Sequence, residues 1–198
     1  MAIIIETERL IVREFLPVEL ETYLNHFIDE RVLQYIPKRS REERIGIFNN
    51  ALIQYATTKT KGIWGIFHKA DGSFMGSCLL RQFADDPGVI ELGYSLNHEH
   101  WGKGVASEMA TGMKTHCFTD TAVAEIVAVT DLANTGSQHV LEKAGLKRVD
   151  NLMRNGEELA YFRLKKVLND VKEAVNEMNE VLSGKIKPRD ADDLLNEL

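Results

Sequence analysis

Apolar and polar residues alternate with a period of two in several stretches of the chain, which predicts β-strands. The stretch 10–15, LIVREF, predicts a first strand, and VIELGYSLN at 89–97 predicts a later one. Two apolar runs flank Asp71-Gly72, a dipeptide suited to the positive φ angles of a tight turn, and so predict a β-hairpin. Asn155-Gly156 predicts a second hairpin towards the end of the chain.

Other stretches repeat their apolar residues at about 3.6 residues, which predicts helices. Pro17 opens a first helical pattern, and a second is expected from about 40 to 55. A third begins just after strand 89–97, and a fourth, NTGSQHVLEKAGL, ends at Gly145. The order of these elements predicts an α/β domain built around one sheet.

The stretch 124–130, AEIVAVT, is nearly all apolar, as expected of a central strand covered on both faces. It follows strand 89–97 after one intervening helix. A strand, helix, strand order of this kind predicts that the two strands pair in parallel through a right-handed crossover.

From Leu164 onward the apolar residues are spaced by four and three residues in turn, which is the seam of a helix that packs against a neighbour. The pattern ends at Ser183-Gly184, and a short terminal helix is expected within 191–198. The seam is compatible with packing on its own domain or with a contact between two copies of the chain. The predicted organisation is one domain over residues 1–165 and a helical extension over 166–198.

Composition narrows the class of protein. The 198 residues are 44% hydrophobic, enough for one well-buried domain. A formal charge of -6 without any Lys/Arg run argues against binding to nucleic acid or an anionic membrane. The two cysteines lack paired spacing, the first residues reach charges too early for a signal peptide, and no apolar run approaches the ~20 residues of a membrane span. We therefore expect a cytoplasmic protein.

The stretch EHWGKGVASEM places Gly102 and Gly104 between a predicted strand and a predicted helix. The first turn of a helix has unpaired N–H groups and a partial positive charge, and glycines let a phosphate come close to them. Lys103 adds a positive side chain. A G-x-G before a helix is also found in plain turns, so the loop alone predicts an anion site without identifying the anion.

Three segments together are more specific than this loop. TERLIVREF, IELGYSLNHEHWGKGVASEM and NTGSQHVLEKAGL resemble, in this order and spacing, the GNAT superfamily of acetyl-CoA-dependent N-acetyltransferases, and within it the ribosomal-protein N-terminal acetyltransferase-like branch. The resemblance covers about residues 7–164. It implies a mixed, mostly antiparallel sheet with helices on both faces, in which parallel strands 89–96 and 124–130 splay apart around acetyl-CoA. It also implies acetyl transfer to a primary amine, on a protein N-terminus or a small molecule, by direct attack in a ternary complex.

The resemblance further implies that strand backbone binds the pantetheine arm of the cofactor and that loop amides hold its pyrophosphate. The implied cofactor-binding residues are Ser95, Leu96, Asn97, Trp101, Gly102, Lys103, Gly104, Val105, Ala106 and Asn134. Two positions depart from the family pattern. Glu99 replaces the usual Gln or Arg, and we expect it to point away from the phosphates; Leu141 replaces a Tyr general acid that this branch commonly lacks.

Acetyl transfer needs a neutral amine, so a base must take up a proton near neutral pH. Glu91 is the candidate, because the period of two places it with Gly93 and Ser95 on one face of strand 89–97. A carboxylate buried in a central strand is costly unless it is solvated or paired, which favours a site wall. A glutamate paired with a structural arginine is the alternative.

The thiolate leaving group is only modestly basic, so a hydroxyl that donates one hydrogen bond can serve as the acid. Ser137 is the candidate, because it lies three residues after Asn134 and both side chains share one helix face. The resemblance implies that Ser137 lies near the thioester sulfur. Asn134 also suits the simpler role of an N-cap.

The six histidines show no metal-ligand spacing, so no metal is expected, and we interpret His98 and His100 as rim residues of the loop. Because a fold does not determine its function, a CoA-binding sensor or assembly module without turnover stays the alternative to an acetyltransferase. Release of free thiol from acetyl-CoA in the presence of amines distinguishes the two.

Overall fold

The computed structural model describes residues 1–58 and 60–184, excluding the side chains of residues 167–173 and 177. Its strands are β1 (Ile3–Glu6), β2 (Leu10–Arg13), β3 (Gly62–His68), β4 (Phe74–Phe83), β5 (Asp86–Leu96), β6 (Glu125–Asp131), β7 (Lys147–Arg148), β8 (Leu152–Arg154) and β9 (Glu157–Lys165). Within the described residues they form one nine-stranded sheet in the order β1-β2-β3-β4-β5-β6-β9-β7, with β8 paired to β9.

The α-helices of this part of the chain are α1 (Leu20–Asn25), α2 (Glu30–Leu33), α3 (Arg41–Gln54), α4 (Val105–Thr119), α5 (Thr135–Lys143) and α6 (Lys166–Leu182). The helix predicted from 40 to 55 is confirmed as α3. It begins after Ser40, whose hydroxyl accepts the Glu43 amide while the Glu43 carboxylate accepts the Ser40 amide. This reciprocal cap satisfies two N–H groups that have no partner inside the helix.

The parallel pairing of β5 and β6 is also confirmed. Its register runs from Val89↔Glu125 to Glu91↔Val127. Beyond that point β5 stays paired with β4 as far as Leu96, and β6 stays paired with β9 as far as Asp131. The two strands therefore diverge after Glu91, and a gap shaped like a V opens between them.

Helices cover both faces of the sheet, as the resemblance implied. Tyr94 of β5 contacts Ser137 on α5, whereas its neighbour Ser95 contacts His26 at the end of α1. Successive side chains of a strand point to opposite faces, so α1 and α5 lie on opposite sides. The core on the α4 side includes Met109, which is fully buried.

Both predicted hairpins are confirmed. Gly72 adopts φ 71° between β3 and β4, while Asn155 and Gly156 adopt φ 53° and 82° between β8 and β9. In the second hairpin both central residues have positive φ, as in the two-residue turn that matches the twist of the flanking strands. In the first, only Gly72 does, and residues 69–73 join the two strands. Asn and Gly tolerate that conformation better than other residues.

The first strand and the start of the C-terminal helix differ from the sequence-based expectation. Strand β1 precedes the predicted first strand and pairs with it. Leu164 lies in β9 opposite Ile126 and is buried there, so it is not part of the helical seam. The helical seam starts after Leu164, because Leu164 is buried in the core as a residue of β9. The stop before Gly184, at φ 73°, is confirmed.

The seam residues Val175, Met178 and Leu182 are exposed on α6. The side chains of two other predicted seam positions, 168 and 171, and the whole predicted helix within 191–198 lie outside the described residues. Packing of the extension on its own domain and contact with a second copy both stay predictions. No helix in the described ranges is long and apolar enough to cross a membrane.

Candidate functional site

The glycine loop leads from β5 into α4 at the open end of the V-shaped gap. Gly102 adopts φ 70° and Gly104, the N-cap of α4, adopts φ 79°. A Cβ atom on Gly102 would meet nothing within 4 Å, because residues 101–104 are exposed. The loop thus has the conformation and the open space that a bound anion requires at a helix N-terminus.

Arg9 lies against this loop, which sequence reasoning missed. Its Nε donates to Glu108 Oε2 at 2.7 Å, and its Nη1 donates to the Lys103 carbonyl at 3.0 Å. Thr7 also donates to Glu108, at 2.6 Å. The Nη2 atom of Arg9 lies 3.4 Å from the place where a Cβ atom on Gly104 would stand. A second positive side chain, besides Lys103, therefore flanks the glycines. It comes from a segment that is 94 residues away in the sequence.

The edge of β5 reaches the loop through Leu96 and Asn97. The Asn97 amide donates to the Met75 carbonyl at 2.8 Å, which turns it towards β4. Backbone groups alternate in direction along a strand, so the amide of Leu96 faces the gap. The Leu96 carbonyl accepts a hydrogen bond from Trp101 Nε1 at 2.9 Å. Of the three strand residues predicted to bind pantetheine through their backbone, Leu96 has its amide towards the gap, whereas the amides of Ser95 and Asn97 face β4. Pairing of Leu96 with pantetheine stays a prediction.

Glu91 lies at the base of the gap, and its carboxylate is held by two arginines. Arg81 donates to it at 3.0 Å from both Nε and Nη2, and Arg154 donates at 2.8 and 3.2 Å. Burial raises the pKa of Glu91, but the hydrogen bonds and charges of Arg154 and Arg81 outweigh burial, and the pKa lies below its ordinary value. A carboxylate so stabilised accepts a proton poorly. This geometry favours the structural alternative over the role of general base.

Ser137 and Asn134 share one side of α5, as their spacing predicted. Asn134 Oδ1 accepts the Ser137 amide at 3.0 Å, so Asn134 is the N-cap of this helix. The Ser137 hydroxyl lies 3.0 Å from the hydroxyl of Tyr94, which reaches it from β5. Burial raises the pKa of Tyr94 to about 12, although the hydrogen bond to Ser137 opposes the shift, so the phenol stays protonated. Two hydroxyls therefore meet on the α5 side of the gap.

His26 is a second residue that sequence reasoning missed. It is 4% exposed, and its ring contacts Ser95 Oγ at 2.7 Å through Nε2 and Asn97 Oδ1 at 2.5 Å through Nδ1. The apolar residues around His26 in the sequence indicated only a helix. No local pattern identifies a histidine whose partners lie on a strand far along the chain.

A cavity of about 530 Å³ opens beside His26, between α1, α2 and the start of the loop. Polar side chains dominate its lining, among them Asn25, Asp29 and Asn97. His98 and Glu99 stand at its loop side, so His98 is a rim residue, as predicted. The Glu99 side chain is 73% exposed and lies 3.3 Å from His100, and its direction relative to bound phosphate stays a prediction. In the described part of the chain, no three His, Cys, Asp or Glu residues form a group that could hold a metal ion.

Known proteins resemble this chain in sequence and in fold. Residues 9–147 match the family model described as an acetyltransferase (GNAT) domain. An uncharacterized N-acetyltransferase of Bacillus subtilis, YoaA, is 28% identical over 149 residues, which cover 73% of this chain and 83% of that protein.

Two solved structures share the fold at low identity. RimL, a ribosomal L7/L12 α-N-protein acetyltransferase in complex with coenzyme A, aligns with a TM-score of 0.70 at 14% identity, over 83% of this chain and 98% of that one. AAC(6')-Ib, in complex with paromomycin and acetyl-CoA, aligns with a TM-score of 0.67 at 14% identity, over 82% and 97%. The chain belongs to the GNAT acetyltransferase family and is an acetyl-CoA-dependent N-acetyltransferase.

Proposed function

We propose that the protein transfers the acetyl group of acetyl-CoA to a primary amine by direct attack of the amine on the thioester carbonyl, with both substrates bound at once. The observation that carries the proposal is the divergence of β5 and β6 after the pair Glu91↔Val127. It leaves a strand edge that continues directly into the glycine loop and the first turn of α4. An extended thioester arm fits the strand edge, and a pyrophosphate fits the helix N-terminus.

The loop residues hold the cofactor in this proposal. The amides from Gly102 to Ala106 face the pyrophosphate, with Lys103 and Arg9 supplying positive charge. The Trp101 amide, which was also predicted to face it, instead donates to the His98 carbonyl at 3.1 Å. Arg9 supports this role because Glu108 and the Lys103 carbonyl hold its guanidinium beside the glycines. Leu96 pairs with the pantetheine arm through its amide, and Asn134 contacts the same arm from the start of α5.

The residues that stabilise the leaving thiolate lie on the α5 side of the gap. Ser137 donates its hydroxyl proton in a hydrogen bond to the sulfur, which stabilises the charge that develops as the C–S bond breaks. Tyr94 supports this donor, since its phenol is protonated and lies 3.0 Å from Ser137 Oγ. The Tyr general acid that other family members carry is replaced here by Leu141, which is buried.

The amine enters from the opposite face, beside the polar cavity. Protein N-termini and small-molecule amines are both candidates, since RimL is a ribosomal-protein acetyltransferase and AAC(6')-Ib was solved with paromomycin. Glu91 anchors Arg81 and Arg154 on this side and so shapes the acceptor wall.

The test is turnover. The protein is incubated with acetyl-CoA and a panel of amines that includes peptides with free N-termini, polyamines and aminoglycosides, and free thiol is followed over time. We expect thiol release above the hydrolysis background with at least one amine. Binding of CoA by calorimetry without thiol release from any of these amines would contradict the proposed transfer.

A further inference from the structure

The imidazole of His26 is held between two side chains of the β5 segment that borders the gap. Its Nε2 lies 2.7 Å from Ser95 Oγ and its Nδ1 lies 2.5 Å from Asn97 Oδ1. Asn97 Nδ2 donates to the Phe74 carbonyl at 3.1 Å, which identifies the amide oxygen as the atom facing His26. An amide oxygen only accepts, so Nδ1 carries the ring proton, and Nε2 offers a lone pair to the Ser95 hydroxyl.

The surroundings of His26 favour the neutral ring. Burial lowers the pKa of His26, and the charge of Arg44 on α3 lowers it further; the hydrogen bond with Asn97 and the charge of Asp29 act in the opposite direction and are outweighed. The rings of Phe27 and Phe74 pack against the imidazole at 4.7 and 5.8 Å between centroids. The ring is therefore neutral near physiological pH and has a lone pair that can accept a proton. The lowered pKa makes it a weaker base than a free imidazole, and the hydrogen bond with Asn97 is what favours the protonated form.

Position decides which of the two groups meets the substrate. Ser95 is part of β5 beyond the pair Glu91↔Val127, next to Leu96, whose amide faces the gap. His26 is 4% exposed, and although its ring borders the polar cavity, both ring nitrogens are engaged by Ser95 and Asn97. A proton therefore reaches the Nε2 lone pair through the Ser95 hydroxyl, which is half-buried.

We propose that Ser95 and His26 form the proton path that deprotonates the acceptor amine, with Ser95 as the contacting residue and His26 as a positioning residue that acts through it. This rests on the acetyl transfer proposed above. The ammonium N–H bond breaks and its proton passes to Ser95 Oγ, while the Ser95 hydroxyl proton passes to His26 Nε2. Asn97 Oδ1 continues to accept from Nδ1 and so stabilises the imidazolium.

The remaining steps balance the reaction. The freed lone pair forms the C–N bond to the acetyl carbon, the C–S bond breaks, and the second amine proton goes to the thiolate to give free CoA. His26 returns its proton through Ser95 to solvent after the amide leaves. No role for Glu91 as a base is needed, which agrees with its pairing to two arginines.

The experiment compares His26→Gln, Ser95→Ala and the double variant, with His68→Gln as the matched control. His68 is a partly exposed histidine at the turn after β3. Thiol release is measured with the best amine acceptor from about pH 6 to about pH 9.5, across the range in which the amine itself loses its proton. Rates are divided by the fraction of protein that binds CoA in calorimetry, so that a loss of folded protein does not lower them.

We expect His26→Gln and Ser95→Ala each to lower kcat/KM for the amine about 100-fold near neutral pH. The loss shrinks as pH rises, because the amine then deprotonates without help. The double variant loses no more than either single one, since both residues serve one path. His68→Gln keeps the rate and the pH profile of the unaltered protein.

A loss of the same size at every pH, or losses that multiply in the double variant, would overturn the proton path and leave the acetyltransferase function standing. Unchanged rates in both single variants would overturn it as well. Absence of thiol release from the unaltered protein with any amine would overturn the proposed function itself, and the proton path with it.

Discussion

At the scale of single residues, Glu91 shows how a carboxylate in the middle of a sheet is tolerated. Its side chain is almost fully buried, and burial of an unpaired charge there is very unfavourable. Arg81 on the neighbouring strand and Arg154 on the closing hairpin supply donors to both carboxylate oxygens. Because Arg81 is 54% exposed, solvent screens part of this interaction. We therefore expect the ion pairs of Glu91 with the two arginines to stabilise the fold moderately.

We predict that Glu91→Gln destabilises the protein by about 1–3 kcal/mol, since two arginines then share a neutral partner. Its effect on turnover is the same at all pH values, because the residue does not exchange a proton with the amine. Urea denaturation measures the first effect and a pH–rate profile the second. Glu125→Gln, which removes a buried carboxylate paired with Arg163 instead, is the matched control. A deficit that disappears at high pH would identify Glu91 as the general base after all.

The lowered pKa of Glu91 also predicts an acid-sensitive fold. A carboxyl whose folded pKa lies below its ordinary value of 4.5 stabilises the protein above that value, and this stabilisation is lost as pH falls through the folded pKa. We expect the free energy of unfolding to decrease below about pH 4.5, and Glu91→Gln to make this decrease shallower. Urea midpoints measured at several acidic pH values provide the test, and equal slopes for both proteins would contradict it.

At the scale of elements, the glycine loop joins a strand edge to a helix N-terminus. Gly104 occupies the left-handed region at φ 79°, where a β-branched residue is strained. A side chain at this position would also stand over the amides of the first turn and meet Arg9. The absence of a Cβ atom on Gly104 therefore has two effects. It permits the left-handed backbone conformation, and it leaves the amides of the first helical turn open to a ligand.

We predict that Gly104→Val weakens acetyl-CoA binding at least about tenfold, which corresponds to about 1.4 kcal/mol. Gly156→Val is the matched control, because Gly156 has a similar φ of 82° in the hairpin turn between β8 and β9, and a Cβ atom there would meet nothing within 4 Å. Both variants lose stability through backbone strain. Calorimetry with acetyl-CoA distinguishes them, and equal affinities in the two variants would remove the loop from the cofactor site.

At the scale of the whole molecule, helix α6 extends beyond the sheet. The amide of Lys166 donates to the Ala124 carbonyl at 2.9 Å, so the first residue of the helix is bonded to the residue directly before β6. Further along, Val175, Met178 and Leu182 are exposed. Apolar residues that repeat at this spacing commonly pack against another helix.

We propose that this face is covered by the same face of a second copy, and we expect removal of residues 167–198 to convert a dimer into a monomer. The cut follows Lys166, so strand β9 and the hydrogen bond from Lys166 to Ala124 stay intact. Light scattering gives the mass of both chains, and thiol release checks that the shortened protein is folded. An unchanged mass would exclude a dimer contact in the extension.

The sequence by itself determined the elements that depend on local chemistry. Alternation and helical spacing predicted the longer strands, the parallel pair and the major helices. Asp71-Gly72 and Asn155-Gly156 predicted the turns, because few residues tolerate the positive φ angles that Gly72, Asn155 and Gly156 adopt. Three motifs in order led to the family. The misplacement of Leu164 shows the limit of spacing, since an apolar residue at the end of a strand also fits the first position of a helical seam.

Tertiary structure alone decided which side chains meet. Sequence periodicity places Glu91 and Ser95 on one face of a strand, but their partners come from elsewhere: Arg154 lies 63 residues from Glu91, and His26 lies 69 residues from Ser95. Arg9 reaches the glycine loop across 94 residues. Such contacts depend on the order of strands in the sheet and on where each helix packs. For that reason the candidate base on the strand is paired with arginines, and a buried histidine that no motif singled out contacts the same strand.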